Sequence, residues 1–161
     1  MADIGAGTGL FALALSDAVG ADGTVYAVDI APQFLAHVEA RMREASRDNF
    51  VFHLAQPEAL GLAEDVLDVA FMCNVYHHVE YPDAYLPTIA RALKPGGILW
   101  LVDFKRVEGV TDPGILAHVR ANQAQVVSEV TAAGFELLES PALLDKNYVL
   151  KFVWRGPTDG E

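Results

Sequence analysis

Nearly continuous apolar runs rich in β-branched residues alternate along this chain with stretches whose apolar residues return at helical spacing, which predicts crossover units and a parallel sheet. Residues 1–4 read as a strand stub, and "TGLFALALSDAV" as a helix ending at Gly20. "TVYAVDI" is a strand ending near Asp29; the helix "APQFLAHVEARMREASR" then starts on a proline and gathers Phe34, Leu35, Val38 and Met42 on one face. "FVFHLA" is a third strand. "DVLDVAFMCNV" is apolar throughout, as a central strand covered on both faces requires. The helix "PDAYLPTIARAL" is stopped by "KPGG", which launches the strand "ILWLVDF". Residues 105–122, with Gly109, Pro113 and Gly114, read as loop. A helix capped by Gly134 follows, and "ELLESPALL" and "NYVLKFVW" predict a hairpin about "DKN".

Composition narrows the function. A chain of 161 residues with 52% hydrophobic side chains makes one domain with a real core, expected over 1–155 with a flexible tail at 156–161. The net charge of −11 opposes binding to nucleic acid or anionic membrane; the densest basic stretch, "RMREASR", reads as the solvated face of a helix. Cys73 is the single cysteine, so there is no internal disulfide and no cysteine-rich metal site, and the chain reads as cytosolic. It has neither a membrane-spanning run nor a basic signal-peptide start.

The chemistry begins with "MADIGAGTGLF". A strand feeding a glycine-rich turn that opens a helix offers backbone N–H groups and the positive helix end to a ligand. A dinucleotide fingerprint needs a third glycine where Leu10 stands, which disfavours a nicotinamide-dependent oxidoreductase. Gly5, Gly7 and Gly9 follow Asp3 instead, a carboxylate better suited to a cationic ligand than to a pyrophosphate. Asp29 ends the next strand, 20 residues after Gly9, where a carboxylate meets ribose hydroxyls; capping the helix that begins "APQF" is its other reading. Together these residues describe a nucleoside carrying a positive group.

With these motifs, and with "LDVAFMCNVYHHV", "ALKPGGILWLVDF", "AAGF" and "YVLKF" in that order, the chain resembles the class I S-adenosylmethionine-dependent methyltransferases, particularly the bacterial small-molecule branch. The resemblance implies a doubly wound, Rossmann-like α/β fold, its mostly parallel sheet carrying an antiparallel C-terminal strand and helices on both faces. It also implies that Asp3 and the turn of Gly5, Ala6, Gly7 and Gly9 surround the methionine part of the cofactor, that Asp29 grips the ribose and that Ile30 packs on adenine. At the adenine end the chain departs from its relatives: Gln56 stands where many have an acid, and Pro57 has no N–H to face the ring. Either Glu58 supplies the contact or adenine is held more weakly; a loop without a ligand role is the third reading of these residues.

Asn74 and Val75 are expected to border the cofactor and His78 to pack beside it. Tyr76, His77 and Asp103, at the carboxyl ends of the fourth and fifth strands, are the acceptor-side catalytic candidates, and an imidazole can titrate near neutrality. On an extended chain His77 and His78 point apart and no Asp or Cys completes a set, so no metal is expected. Lys105 and Arg106 read as solvated charges or as partners of an anionic acceptor. The Asn-Pro-Pro-Tyr type of motif used for N-methylation by relatives is absent, and one cysteine is too few for arsenic methylation. The expected enzyme converts S-adenosyl-L-methionine to S-adenosyl-L-homocysteine while methylating a small molecule; the competing reading is a protein of this fold that binds the cofactor without turnover. With so little before the glycine turn, an N-terminally incomplete member with an open cleft is expected, and its uncovered apolar surface predicts a homodimer.

Overall fold

The computed structural model describes residues 1–157. Its elements are β1 (Ala2–Ile4), α1 (Ala12–Val19), β2 (Val25–Asp29), α2 (Pro32–Glu44), β3 (Phe50–Leu54) and β4 (Leu67–Cys73), then a 3₁₀ turn at Tyr76–His78. There follow α3 (Pro82–Ala92), β5 (Leu93–Phe104), α4 (Pro113–His118), α5 (Gln123–Ala132), β6 (Phe135–Glu139) and β7 (Asn147–Trp154). The seven strands form one sheet in the order β3-β2-β1-β4-β5-β7-β6. β1 to β5 pair in parallel, and β7 runs antiparallel to both β5 and β6. The chain order reverses between β1 and β4, and an open α/β sheet binds its ligand at the carboxyl ends of such a pair.

Burial explains the runs read from sequence. β1 is buried at all three positions, and Leu67, Ala70 and Met72 of β4 and Leu99 and Leu101 of β5 are wholly inaccessible. They belong to the larger apolar cluster, with Leu86 and Ile89 of α3, Val126 and Val130 of α5 and Phe152 of β7. A smaller cluster of Ala6, Ala12, Ala27, Leu35, Val38 and Met42 joins the glycine turn to α1, β2 and α2.

Three expectations need correction. Residues 105–122 are not all loop: Pro113 opens the short helix α4, and the Asp112 side chain caps it by accepting from the Gly114 N–H at 2.8 Å. The "KPGG" segment is looped out of β5, whose register shifts between the Leu67–Leu93 and Val69–Ile98 pairs. The folded part also runs past 155, since Gly156 is buried beside Pro95; of the tail expected at 156–161, residues 158–161 lie outside the described residues. Among the described residues no helix is long and apolar enough to cross a membrane.

Candidate active site

The glycine turn is held from below and from both sides. The N–H groups of Gly5 and Ala6 donate to the Val28 carbonyl at 2.8 and 3.0 Å, anchoring the turn on β2. Gly5 and Gly7 take φ of +74° and +51°, left-handed backbone that glycine adopts without penalty. A Cβ on Gly5 would stand 2.4 Å from Val75 Cγ2, so the turn packs directly on the chain leaving β4. Asp29 Oδ2 accepts from the Gly7 N–H and Oδ1 from the Ala31 N–H, both at 2.9 Å. One carboxylate thus ties the turn to the start of α2; the cap position itself is Ala31, so Asp29 is not the helix cap. Arg41 of α2 bonds the carbonyls of Thr8 and Gly9, which makes it the exception in a stretch otherwise read as solvated. Gly9 packs against Val38, and Ala6 is buried in the smaller cluster; both support the turn from outside the cavity.

Asp3 lies just beneath this turn, only 4% exposed, and no hydrogen-bond donor reaches its carboxylate among the described residues. Desolvation, reinforced by the nearby Asp29 charge, pushes its pKa up to about 7. Above the turn opens a cavity of about 440 Å³, floored by Ile4, Val28 and Met72. It is lined as well by Gly5, Gly7, Asp29, Ile30 and Phe34, by Asn74, Val75, His78, Val79 and Glu80 after β4, and by Gln56, Pro57 and Tyr85. Ile30 is 61% and Phe34 40% exposed, so the rim offers apolar surface to a flat ligand. Gln56 and Ala59 exchange backbone bonds at 3.0 and 3.2 Å. That tight turn leaves Glu58 exposed and off the cavity wall. Asn74 takes φ of +55° at the end of β4, and its Oδ1 accepts from the Asn147 amide of β7 at 2.7 Å, a link the sequence did not suggest.

The acceptor-side candidates separate. Tyr76 turns away from the cavity: it is 1% exposed and donates to Glu129 Oε2 at 2.7 Å, and Arg120 grips that carboxylate in bidentate fashion at 2.9 and 2.8 Å. Burial first, and then Glu129, raises its hydroxyl pKa well beyond the ordinary phenol value. His77 and Asp103, by contrast, are brought together. Asp103, 1% exposed on β5, accepts from His77 Nδ1 at 2.8 Å and from the His77 backbone N–H at 3.0 Å. Lys105 and Arg106 both donate to backbone carbonyls, Lys105 to Leu144 and Asp145 and Arg106 to Val119.

The expectation that the two histidines diverge also fails. Residues 76–78 form a 3₁₀ turn, not extended chain, and the ring centroids of His77 and His78 lie 4.1 Å apart. His118, from the helix missed in sequence, packs at 5.0 Å from His77 and 4.9 Å from His78. Partial burial, with His77 and His118 close by, holds the His78 pKa below the ordinary imidazole value. No spacing signal linked His118 to this site, 40 positions after His78.

Residues 2–101 match the family described as "Methyltransferase domain". A demethylmenaquinone methyltransferase of Protochlamydia amoebophila is 30% identical over 108 residues, 66% of this chain and 45% of the relative, so the chain spans less than half of that protein. Among solved structures, a SAM dependent methyltransferase from Aquifex aeolicus superposes with TM-score 0.87 at 21% identity, over 95% of this chain and 80% of that one. The [4+2]-cyclase SpnF is similar in fold at TM-score 0.81 and 18% identity, covering 97% of this chain and 74% of SpnF. With the family match covering the glycine turn, both acidic strand ends and the cavity walls, this chain belongs to the methyltransferase domain family and has the Rossmann-like fold of S-adenosylmethionine-dependent methyltransferases.

Proposed function

We propose that the chain binds S-adenosyl-L-methionine in this cavity and transfers its methyl group to a small-molecule acceptor. The observation that carries the reading is the pair of acids at the glycine turn: Asp29 on the cavity wall and Asp3 behind it, 4% exposed and with no donor among the described residues, close enough for the two charges to repel. A cationic ligand relieves that repulsion; an anionic pyrophosphate would aggravate it. The cofactor supplies an electrophilic methyl group on a sulfonium. Asp29 has lone pairs left for ribose hydroxyls beside its two backbone bonds, because a carboxylate offers about four acceptor sites. Ile30 and Phe34 are suited to cover adenine, and the Gln56 amide oxygen to accept from its amino group. Asp103 holds the Nδ1 side of His77, which leaves Nε2 as the nitrogen available to an acceptor. The name of the demethylmenaquinone relative and the acidic surface both favour a metabolite over nucleic acid as acceptor.

Calorimetric titration with S-adenosylmethionine and S-adenosyl-L-homocysteine tests the reading. Micromolar binding of either is the expected result; tight binding of a nicotinamide dinucleotide with neither of these would sink it. Formation of S-adenosylhomocysteine in the presence of an acceptor separates this reading from binding of the cofactor without turnover.

Asp3 adds a pH signature. A cationic ligand selects the ionised carboxylate, so below pH 7 binding must first remove a proton. Affinity for S-adenosylmethionine should therefore weaken as the pH falls from 7 to 5, with a slope approaching tenfold per unit, while Asp3→Asn should bind more weakly with a flatter profile. Without ligand the sign reverses. The unfolded chain ionises Asp3 near 3.8 and the folded chain near 7, so this group removes stability as the pH rises between those values. Equal pH slopes for wild type and Asp3→Asn would refute the assignment.

A further inference from the structure

We propose that His77, His78 and His118 form a binding site for a zinc-class divalent cation at the acceptor edge of the cleft. One ring nitrogen from each lies within 4.8 Å of the others, the only such group of three metal-ligating side chains found among the described residues. A carboxylate can only accept, so the Nδ1 bonded to Asp103 carries a hydrogen, and Nε2 is the nitrogen left to offer a cation. A buried carboxylate bonded to the far nitrogen of an imidazole orients metal-ligating histidines and raises their basicity. Asp103 does this from a position 1% exposed, and its second oxygen also fixes the His77 backbone.

His77 is the rigid member, buried and anchored; His78 and His118 are exposed and free to adjust. A tetrahedral ion with Zn–N bonds of 2.0–2.1 Å needs nitrogens about 3.4 Å apart. Closing the cluster from its present spacing asks for roughly an ångström of side-chain movement, within reach of two exposed rings. Three imidazoles leave a fourth coordination position, the mark of a catalytic rather than a structural zinc centre. Because His78 also lines the cavity, that position borders the cleft in which the acceptor is proposed to bind. One proton would engage only one of the three lone pairs, whereas a cation engages all of them. While the ion is bound, His77 is a ligand and not a general base.

The geometry stands on the histidines alone, so cation binding measured without cofactor fails or succeeds separately from the methyltransferase reading. The untagged chain, freed of metal by chelation, is titrated with Co²⁺ and followed by its visible d–d absorption, then competed with Zn²⁺. The expected result is one equivalent bound with a tetrahedral spectrum, displaced by Zn²⁺. His118→Ala should weaken binding at least a hundredfold, and His37→Ala, on the outer face of α2, should leave it unchanged. Asp103→Asn, which alters a positioning residue, should weaken it ten- to a hundredfold and shift the d–d band. His118 is exposed on a short helix, and circular dichroism of the variant checks that the fold persists. No uptake by the folded chain, or uptake indifferent to His118→Ala, would overturn the proposal and leave the cluster as aromatic packing.

Discussion

Gly7→Val should bind S-adenosylmethionine at least a hundredfold more weakly than the wild type, about 2.8 kcal/mol, while still folding. Gly7 lines the cavity with φ of +51°, and a Cβ built on it finds no protein atom nearer than the Gly5 carbonyl at 3.9 Å. A valine side chain there meets little of the protein and takes up room at the ligand's side of the turn. Holding a β-branched residue in left-handed backbone adds roughly 1–2 kcal/mol of local strain. Relaxing that strain pulls the Gly7 N–H off Asp29, disturbing the second contact region with the same change. Gly5 makes the control, because its added Cβ would collide with Val75, so Gly5→Ala should lower stability and be partly rescued by Val75→Ala. Calorimetry and thermal melts together check the pair. Wild-type affinity in a folded Gly7→Val protein would place the cofactor elsewhere.

Asp103→Ala should remove about 3–5 kcal/mol of stability, because three donors at a buried site lose the acceptor they share. The carboxylate accepts three hydrogen bonds: from His77 Nδ1 at 2.8 Å, from the His77 N–H at 3.0 Å and from the Phe104 N–H at 2.8 Å. Alanine leaves all three donors without their partner at a site that is 1% exposed. Asp103→Asn keeps an acceptor oxygen and much of the shape, so its loss should be smaller, about 1–2 kcal/mol. Urea unfolding of the two variants reads the difference. A loss below about 1 kcal/mol for alanine would mean that water takes over the three donors, and that Asp103 does not organise the His77 turn.

The alternation of apolar runs and helical spacing was enough to place most strands and helices along the chain, because buried parallel strands read as apolar runs and the helices covering them carry their own stripes. Gly5, Gly7 and Asp29 were readable for a related reason: left-handed backbone and a strand-end carboxylate leave local marks in residue type. The acceptor side was less legible. Tyr76 and His77 are neighbours with different partners, Glu129 for one and Asp103 for the other, and that division depends on a 3₁₀ turn whose residues have no turn signature of their own. His118 reaches the site through tertiary packing of a six-residue helix, in a segment where glycine and proline spoke only for loop. Arg41 looked like any surface arginine on a helix; its role is visible only once α2 lies across the open carbonyls of the turn. The position of Glu58, exposed and off the cavity wall, was open in the sequence for the converse reason, since the backbone pairing of Gln56 with Ala59 is not written in the side chains.

The central place of β1 bears on how the molecule holds together. Ala2–Ile4 pair with Tyr26–Val28 on one side and with Ala70–Met72 on the other, and so join the β3-β2 ribbon to the four-stranded β4-β5-β7-β6 slab within the sheet. The edge-to-face contact of Phe11 with Phe71 adds one side-chain stitch across that seam. Amide exchange along β1 reports any parting of the two pieces. The cavity is lined from both pieces, by Asp29 and Ile30 on the ribbon side and by Asn74 and Val75 on the slab side. A bound nucleoside therefore acts as a staple between them, and its occupancy is written in the melting temperature.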